Sequence, residues 1–171
     1  DDWVRQIDAA AGSAALVVGH SMGAVVAQAT ALRSAHVTKV LLLDGPVITT
    51  GQRAIDVSGP VPDELPGHDA WVLPQPVGTA SGLNELQCEW VNARLVPTPV
   101  GPQLDVLRGA DDLSREIVFC ANTPNWFPSS FSRRRCDQLG VPYALWDEPH
   151  EVMLTNPTRV AEWVLAAMSA S

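Results

Sequence analysis

Residues 14–32 read AALVVGHSMGAVVAQATAL. An apolar, partly β-branched run stops at Gly19, one serine follows between two glycines, and a small-residue helical pattern starts at Met22. The run 14–19 has no polar alternation, which is the pattern of a strand buried on both faces of a parallel sheet. Residues 22–34 then read as a helix made for close packing, and 37–43 (VTKVLLL) as a second buried strand ending at Asp44. Strand, helix and strand in this order form a βαβ unit, so the two strands should run parallel with a right-handed crossover.

The pattern extends in both directions. Trp3, Ile7 and Ala10 sit at helical spacing over residues 2–11, with Gly12 as a terminator. Residues 115–121 (REIVFCA) read as a strand, 129–139 as a helix, 142–146 as a strand and 157–168 as a closing helix with Pro157 in its first turn. Between these blocks, prolines and glycines break any regular period, apart from one helical island at 83–95 with Leu86, Trp90 and Val91 along one side. The reading is therefore a single α/β domain with core segments 1–46 and 114–171. Residues 47–113 form a cap-like insertion over one end of the sheet.

Composition narrows the class. The 171 residues suffice for one domain with its own core and not for two of ordinary size. Hydrophobic residues at 46% and charged residues at 18% point to a soluble globular chain rather than a disordered one. No apolar run reaches the length of a membrane span, and DDWVRQ is unlike a signal peptide. A formal net charge of −8 argues against nucleic acid or an anionic lipid surface as partner. Cys88, Cys120 and Cys136 contain no CxxC pair, so free thiols in a reducing, cytoplasmic setting are expected, with no zinc site. Cys120 ends an apolar run and reads as a buried small hydrophobe.

The serine between strand and helix carries the chemistry. In α/β sheets ligands meet the carboxyl ends of the strands. Gly19-His20-Ser21-Met22-Gly23 places a hydroxyl there on a turn tight enough to strain its backbone and expose its Oγ, with glycines where Cβ atoms would collide. The amide of Met22, at a helix N-terminus, can receive a developing oxyanion. Such a serine needs a base. His20 points away from its neighbour on so sharp a turn, and His36 opens a strand at the opposite end of the sheet. His68 lies in the irregular insertion. His150, in DEPHEVML after the last strand, is placed to reach Ser21, and the chain order Ser then His fits.

Through GHSMG, LLLDGP and PHEVMLTNPTRVAEWVL the chain resembles the α/β-hydrolase fold family. Its CEWVNARLVPTP and LLLDGPVITTGQ segments are similar to those of small esterases related to plant methylesterases and hydroxynitrile lyases. The resemblance implies a partial α/β-hydrolase fold in which Ser21 is the nucleophile, Met22 an oxyanion amide and His150 the general base. It implies a small, apolar carboxylic ester as substrate, with no metal or organic cofactor. Trp71, Trp90 and Trp126 either line an apolar pocket, as Trp90 and Trp126 are assigned here, or pack the cap. Hydroxynitrile lyase-type acid/base chemistry and a non-catalytic binding module are the alternatives.

Two features depart from the family pattern. The acid usually follows the strand that here reads EIVFCA, where Asn122 stands and no carboxylate does. Asp44, one strand nearer the nucleophile, is the first choice for the acid, ahead of Asn122, Asp147 and Glu148. Family members also place strands and a second oxyanion loop before the elbow, whereas only 18 residues precede Gly19. The strand 14–19 should then lie at an edge. A preceding segment of a longer chain is the expected completion of the sheet, and a homo-oligomer the alternative.

Overall fold

The computed structural model describes residues 2–11, 15–109 and 113–169. In chain order its strands are β1 (Ala15–His20), β2 (Val37–Leu43), β3 (Trp71–Val72), β4 (Thr98–Pro99), β5 (Arg115–Cys120) and β6 (Ala144–Trp146). Four of them form a parallel sheet in the order β1-β2-β5-β6, with Val17 opposite Val40, Leu43 opposite Val118 and Cys120 opposite Trp146. The expected α/β layering with a mostly parallel sheet is therefore present. Its helices are α1 (Asp2–Ala11), α2 (Gly23–Ala31), α3 (Glu85–Asn92), α4 (Gly101–Leu104), α5 (Pro128–Leu139), α6 (Val152–Thr155) and α7 (Pro157–Ser169).

Two-residue alternation along β2 and β5 divides the core between the two faces. Val40, Leu42, Ile117 and Phe119 pack with Ala24 and Ala27 of α2 and Cys136 of α5. Leu43, Val118 and Cys120 pack on the other face with Trp146 and Val152, against Val160 and Trp163 of α7. The alanines of α2 let that helix lie close. A Cβ built on Gly19 would stand 2.5 Å from the Gly23 carbonyl oxygen, so only glycine fits where β1 passes beneath α2. Within α2, fully buried Gln28 donates to the carbonyls of Ala24 and Pro46 and accepts from the Ile48 amide. This fastens the exit of β2 to the helix, and it satisfies the buried amide as most buried polar groups are satisfied.

The segment 47–113 joins the fold through a third cluster, in which Ile48, Ala54, Val57 and Leu107 pack on Val25 of α2. Its regular parts differ from expectation. The helix read over 83–95 is only Glu85–Asn92. Asn84 caps its start by accepting from the Gln87 amide, and Asn92 exchanges two hydrogen bonds with Val77 at its end. That framing buries Cys88, while Leu86 and Trp90 face outward. A short antiparallel pair, β3 with β4, and the single-turn helices α4 and α6 were not apparent in the proline-rich sequence.

β1 is an edge strand, as its reading implied. It pairs with β2 alone among the described residues, and Val18 remains 41% exposed. An apolar groove of about 350 Å³ lined by Trp3, Ile7, Val17 and Val18 runs beside it. Gly12 and Ala14, which bounded the sequence reading, lie outside the described residues. Among the described residues no helix is long and apolar enough to cross a membrane.

Candidate active site

β1 ends at His20, and Ser21 follows with φ +52°, a left-handed conformation that costs a non-glycine residue about 1 kcal/mol or more. The turn is held from both sides. The Ser21 amide donates to the Leu43 carbonyl at 3.1 Å, and the Ser21 carbonyl accepts from the Ala24 amide at 3.0 Å. Ser21 is half-buried, and its hydroxyl is neither hydrogen-bonded among the described residues nor sealed in the interior. Met22 is the N-cap of α2, and its amide donates to no carbonyl among the described residues. It is thus one of the unpaired donors that helix starts leave.

Asp44 leaves β2 beside this turn, also with positive φ, at +44°. Gly45 follows because a Cβ there would stand 2.4 Å from the Ser21 carbonyl oxygen. The two strand ends are thereby pressed together, each with one strained residue. Asp44 is 1% exposed, yet both of its oxygens are satisfied. Oδ2 meets the His150 Nδ1 at 2.6 Å and accepts from the Thr123 hydroxyl at 2.6 Å, and Oδ1 accepts from the Cys120 amide at 3.0 Å. Burial alone pushes this carboxyl upward. The hydrogen bonds from His150, Thr123 and Cys120 outweigh it and hold Asp44 below its ordinary range, so the group is a carboxylate.

His150 is buried in the loop between β6 and α6. The Phe127 ring lies 4.3 Å and the His20 ring 4.5 Å from its own, centre to centre. His20 Nε2 sits 3.0 Å from the His150 backbone carbonyl and so carries its proton there. Burial, reinforced by the neighbouring His150 ring, lowers the His20 pKa to about 4, which keeps this second histidine neutral. With Nδ1 of His150 facing a carboxylate, the tautomer that protonates Nδ1 leaves Nε2 as a free base. Cys120 is no competing nucleophile, since burial with the nearby charges of Asp44 and Glu148 pushes its thiol well above the usual range.

The other candidates lie elsewhere. Asn122 donates through Nδ2 to Asp147 at 3.1 Å, and Glu148 accepts from Asn156 at 2.7 Å. His36 is exposed ahead of β2, and His68 pairs with Asp105 at 2.9 Å on the surface of the insertion. Trp126 is 73% exposed and, among the described residues, packs against Phe127 at 5.7 Å. Trp90 is 51% exposed beneath the Arg94 guanidinium, and Trp71 is exposed as well. Three residues around the pair were missed in the sequence: Thr123, Phe127 and the carbonyl-binding role of His20. For Thr123 and Phe127 the one signal was position, since 121–127 follows a strand at the same end of the sheet as Ser21, and for His20 it was its place next to the serine. Among the described residues no group of three or more His, Cys, Asp or Glu could hold a metal ion.

Known proteins share this architecture. An extracellular α/β-hydrolase from a Paenibacillus species superposes with a TM-score of 0.71 at 16% identity, covering 96% of this chain and 76% of that one. A methylesterase from Arabidopsis gives 0.70 at 16% identity, covering 98% and 76%. Polyneuridine aldehyde esterase gives 0.71 at 12% identity, covering 96% and 76%. At such identities the likeness is one of fold. No curated protein matches the sequence. The family model described as "Alpha/beta hydrolase family" matches residues 1–163, nearly the whole chain, with its elbow serine and its buried carboxylate–histidine pair inside the match. The chain belongs to the alpha/beta hydrolase family.

Proposed function

We propose that this protein is a serine hydrolase that cleaves a small, apolar carboxylic ester through an acyl-enzyme on Ser21. The supporting observation is the 2.6 Å contact between His150 Nδ1 and Asp44 Oδ2, at the strand end that also carries the strained serine. In this reading His150 Nε2 takes the Ser21 proton as Oγ attacks the ester carbonyl. The carbonyl oxygen becomes an oxyanion facing the Met22 amide, where the α2 dipole adds to the stabilisation. Collapse expels the alkoxide, which takes its proton from His150. Water, deprotonated by the same ring, then releases the acid and restores Ser21. Asp44 stays ionised throughout, orienting the imidazole and balancing its transient charge.

An apolar ester is favoured by the ring of Phe127 on His150. The solved relatives include proteins named as a methylesterase, an aldehyde esterase and a pyrethroid hydrolase, all names consistent with ester substrates. Reaction with a fluorophosphonate, followed by peptide mass spectrometry, tests the proposal. The label should fall on Ser21 and vanish in Ser21→Ala, and p-nitrophenyl butyrate should be hydrolysed with a burst. An unlabelled Ser21 in folded protein removes the hydrolase reading and leaves a binding module.

A further inference from the structure

We propose that Thr123 is a positioning residue of the acid–base pair: its hydroxyl fixes the Asp44 carboxylate and thereby restrains the proton affinity of His150. The inference rests on the assignment of His150 and Asp44 as that pair. The Thr123 Oγ1 and His150 Nδ1 approach the same oxygen, Asp44 Oδ2, each at 2.6 Å. Thr123 is buried, so this bond is shielded from water and strong for its type.

The backbone of the loop that holds Thr123 has bonds of its own. The Ala121, Asn122 and Thr123 amides donate to the carbonyls of Trp146, Glu148 and Cys120, and the Ser130 hydroxyl donates to the Thr123 and Pro124 carbonyls. With the backbone held by other bonds, the side-chain hydroxyl is left to serve the carboxylate. This loop follows β5, where the resemblance places the acid. Here it supplies a donor to an acid on the neighbouring strand instead.

A donor on a carboxylate lowers its charge density and weakens its pull on the facing imidazolium. Removing the hydroxyl should therefore strengthen the Asp44–His150 attraction and raise the His150 titration midpoint. The other titratable groups nearby are His20 of β1, the Cys120 thiol of β5, Glu148 and Glu151 of the His150 loop, and Arg159 of α7. Among the described residues none of their side chains donates a hydrogen bond to Asp44.

The test is an NMR titration of the histidine ring protons in wild type, Thr123→Val and Thr123→Ser, with the His150 signal identified by its loss in His150→Gln. Thr123→Val should raise the His150 midpoint by about half a pH unit or more, a threefold gain in proton affinity, and Thr123→Ser should restore it. The acid limb of kcat/KM should move upward in step. If Thr123→Val fails to fold, Thr123→Ala serves the same comparison. An unchanged midpoint with only a lower Tm would overturn the proposal and leave the hydroxyl a purely structural role. The two readings separate cleanly. A wild-type Ser21 inert to fluorophosphonate defeats the hydrolase assignment, while the His150 titration still decides the role of Thr123.

Discussion

The two sides of Ser21 are built to different degrees. On the base side, Asp44 receives three hydrogen bonds, and His150 is gripped by Asp44, by Phe127 and by the His20 ring that also binds its carbonyl. On the proposed oxyanion side stand the Met22 amide and β1, which among the described residues pairs on one edge and leaves Val18 exposed beside an apolar groove. The base side draws on the ends of β2, β5 and β6, all inside the described sheet. The family's second oxyanion donor comes from beyond β1. In the proposed reading the acid–base groups therefore lie within the described sheet, whereas the β1 side offers the Met22 amide and an edge that is open among the described residues.

The base side is broken most severely by removing its moving parts. Ser21→Ala and His150→Ala should each lower kcat by up to about six decades, and the double variant should be little worse, because the residues act as a unit. Additive losses in ester hydrolysis would mean that they do not cooperate. The oxyanion side should show a smaller effect. Replacing the Met22 amide by an ester linkage through semisynthesis deletes one N–H and leaves the side chain in place. It should cost about two to three decades in kcat. A loss below threefold would assign the oxyanion to other donors.

Acid sensitivity probes the base side through stability. His20 has its folded pKa lowered from the ordinary 6.5 to about 4, so between those values the unfolded chain binds the extra proton. Its contribution is present above pH 6.5 and is lost as pH falls toward 4, a change of about 3 kcal/mol. Asp44, whose pKa is also lowered, adds loss in the same direction at lower pH. Urea unfolding of wild type and His20→Gln from pH 7 to 4 should show a shallower decline in the variant. Parallel declines would deny His20 its buried, neutral state.

The smallest effect is expected at the β1 edge. The chain should self-associate through this exposed strand, and Val18→Lys should shift it toward monomer in sedimentation velocity while changing unfolding free energy by less than about 0.5 kcal/mol. A monodisperse wild-type monomer with sharply cooperative unfolding would show that the edge is closed in another way.

Much of the base side was legible because close packing restricts residue type. Gly19 and Gly45 are required where α2 and the elbow approach, and the apolar run 40–43 of β2 leads into Asp44, so GHSMG and LLLDG carry geometry in their spelling. Asp44 ranked ahead of Asn122 in the sequence because only a carboxylate balances an imidazolium charge. Both follow strands at the same end of the sheet, however, so their lateral distances to His150 were not legible. Thr123 and Phe127 were invisible for a related reason: their partners lie on other strands, and sequence does not specify lateral neighbours. The insertion was least legible. Leu86 and Trp90 look like the buried side of an amphipathic helix, but the Asn84 and Asn92 contacts turn Cys88 inward instead.

The central claim is that the acid stands at the end of β2 and serves Ser21 through His150. The rate of Ser21 labelling by a fluorophosphonate at pH 7.5 or thereabouts, in wild type, Asp44→Asn and Asn122→Ala, tests it most directly. The account predicts a fall of about four decades for Asp44→Asn, the scale on which a triad carboxylate acts, and a change of less than about twofold for Asn122→Ala, whose side chain faces Asp147. Near-normal labelling in folded Asp44→Asn, with a collapse in Asn122→Ala, would contradict it.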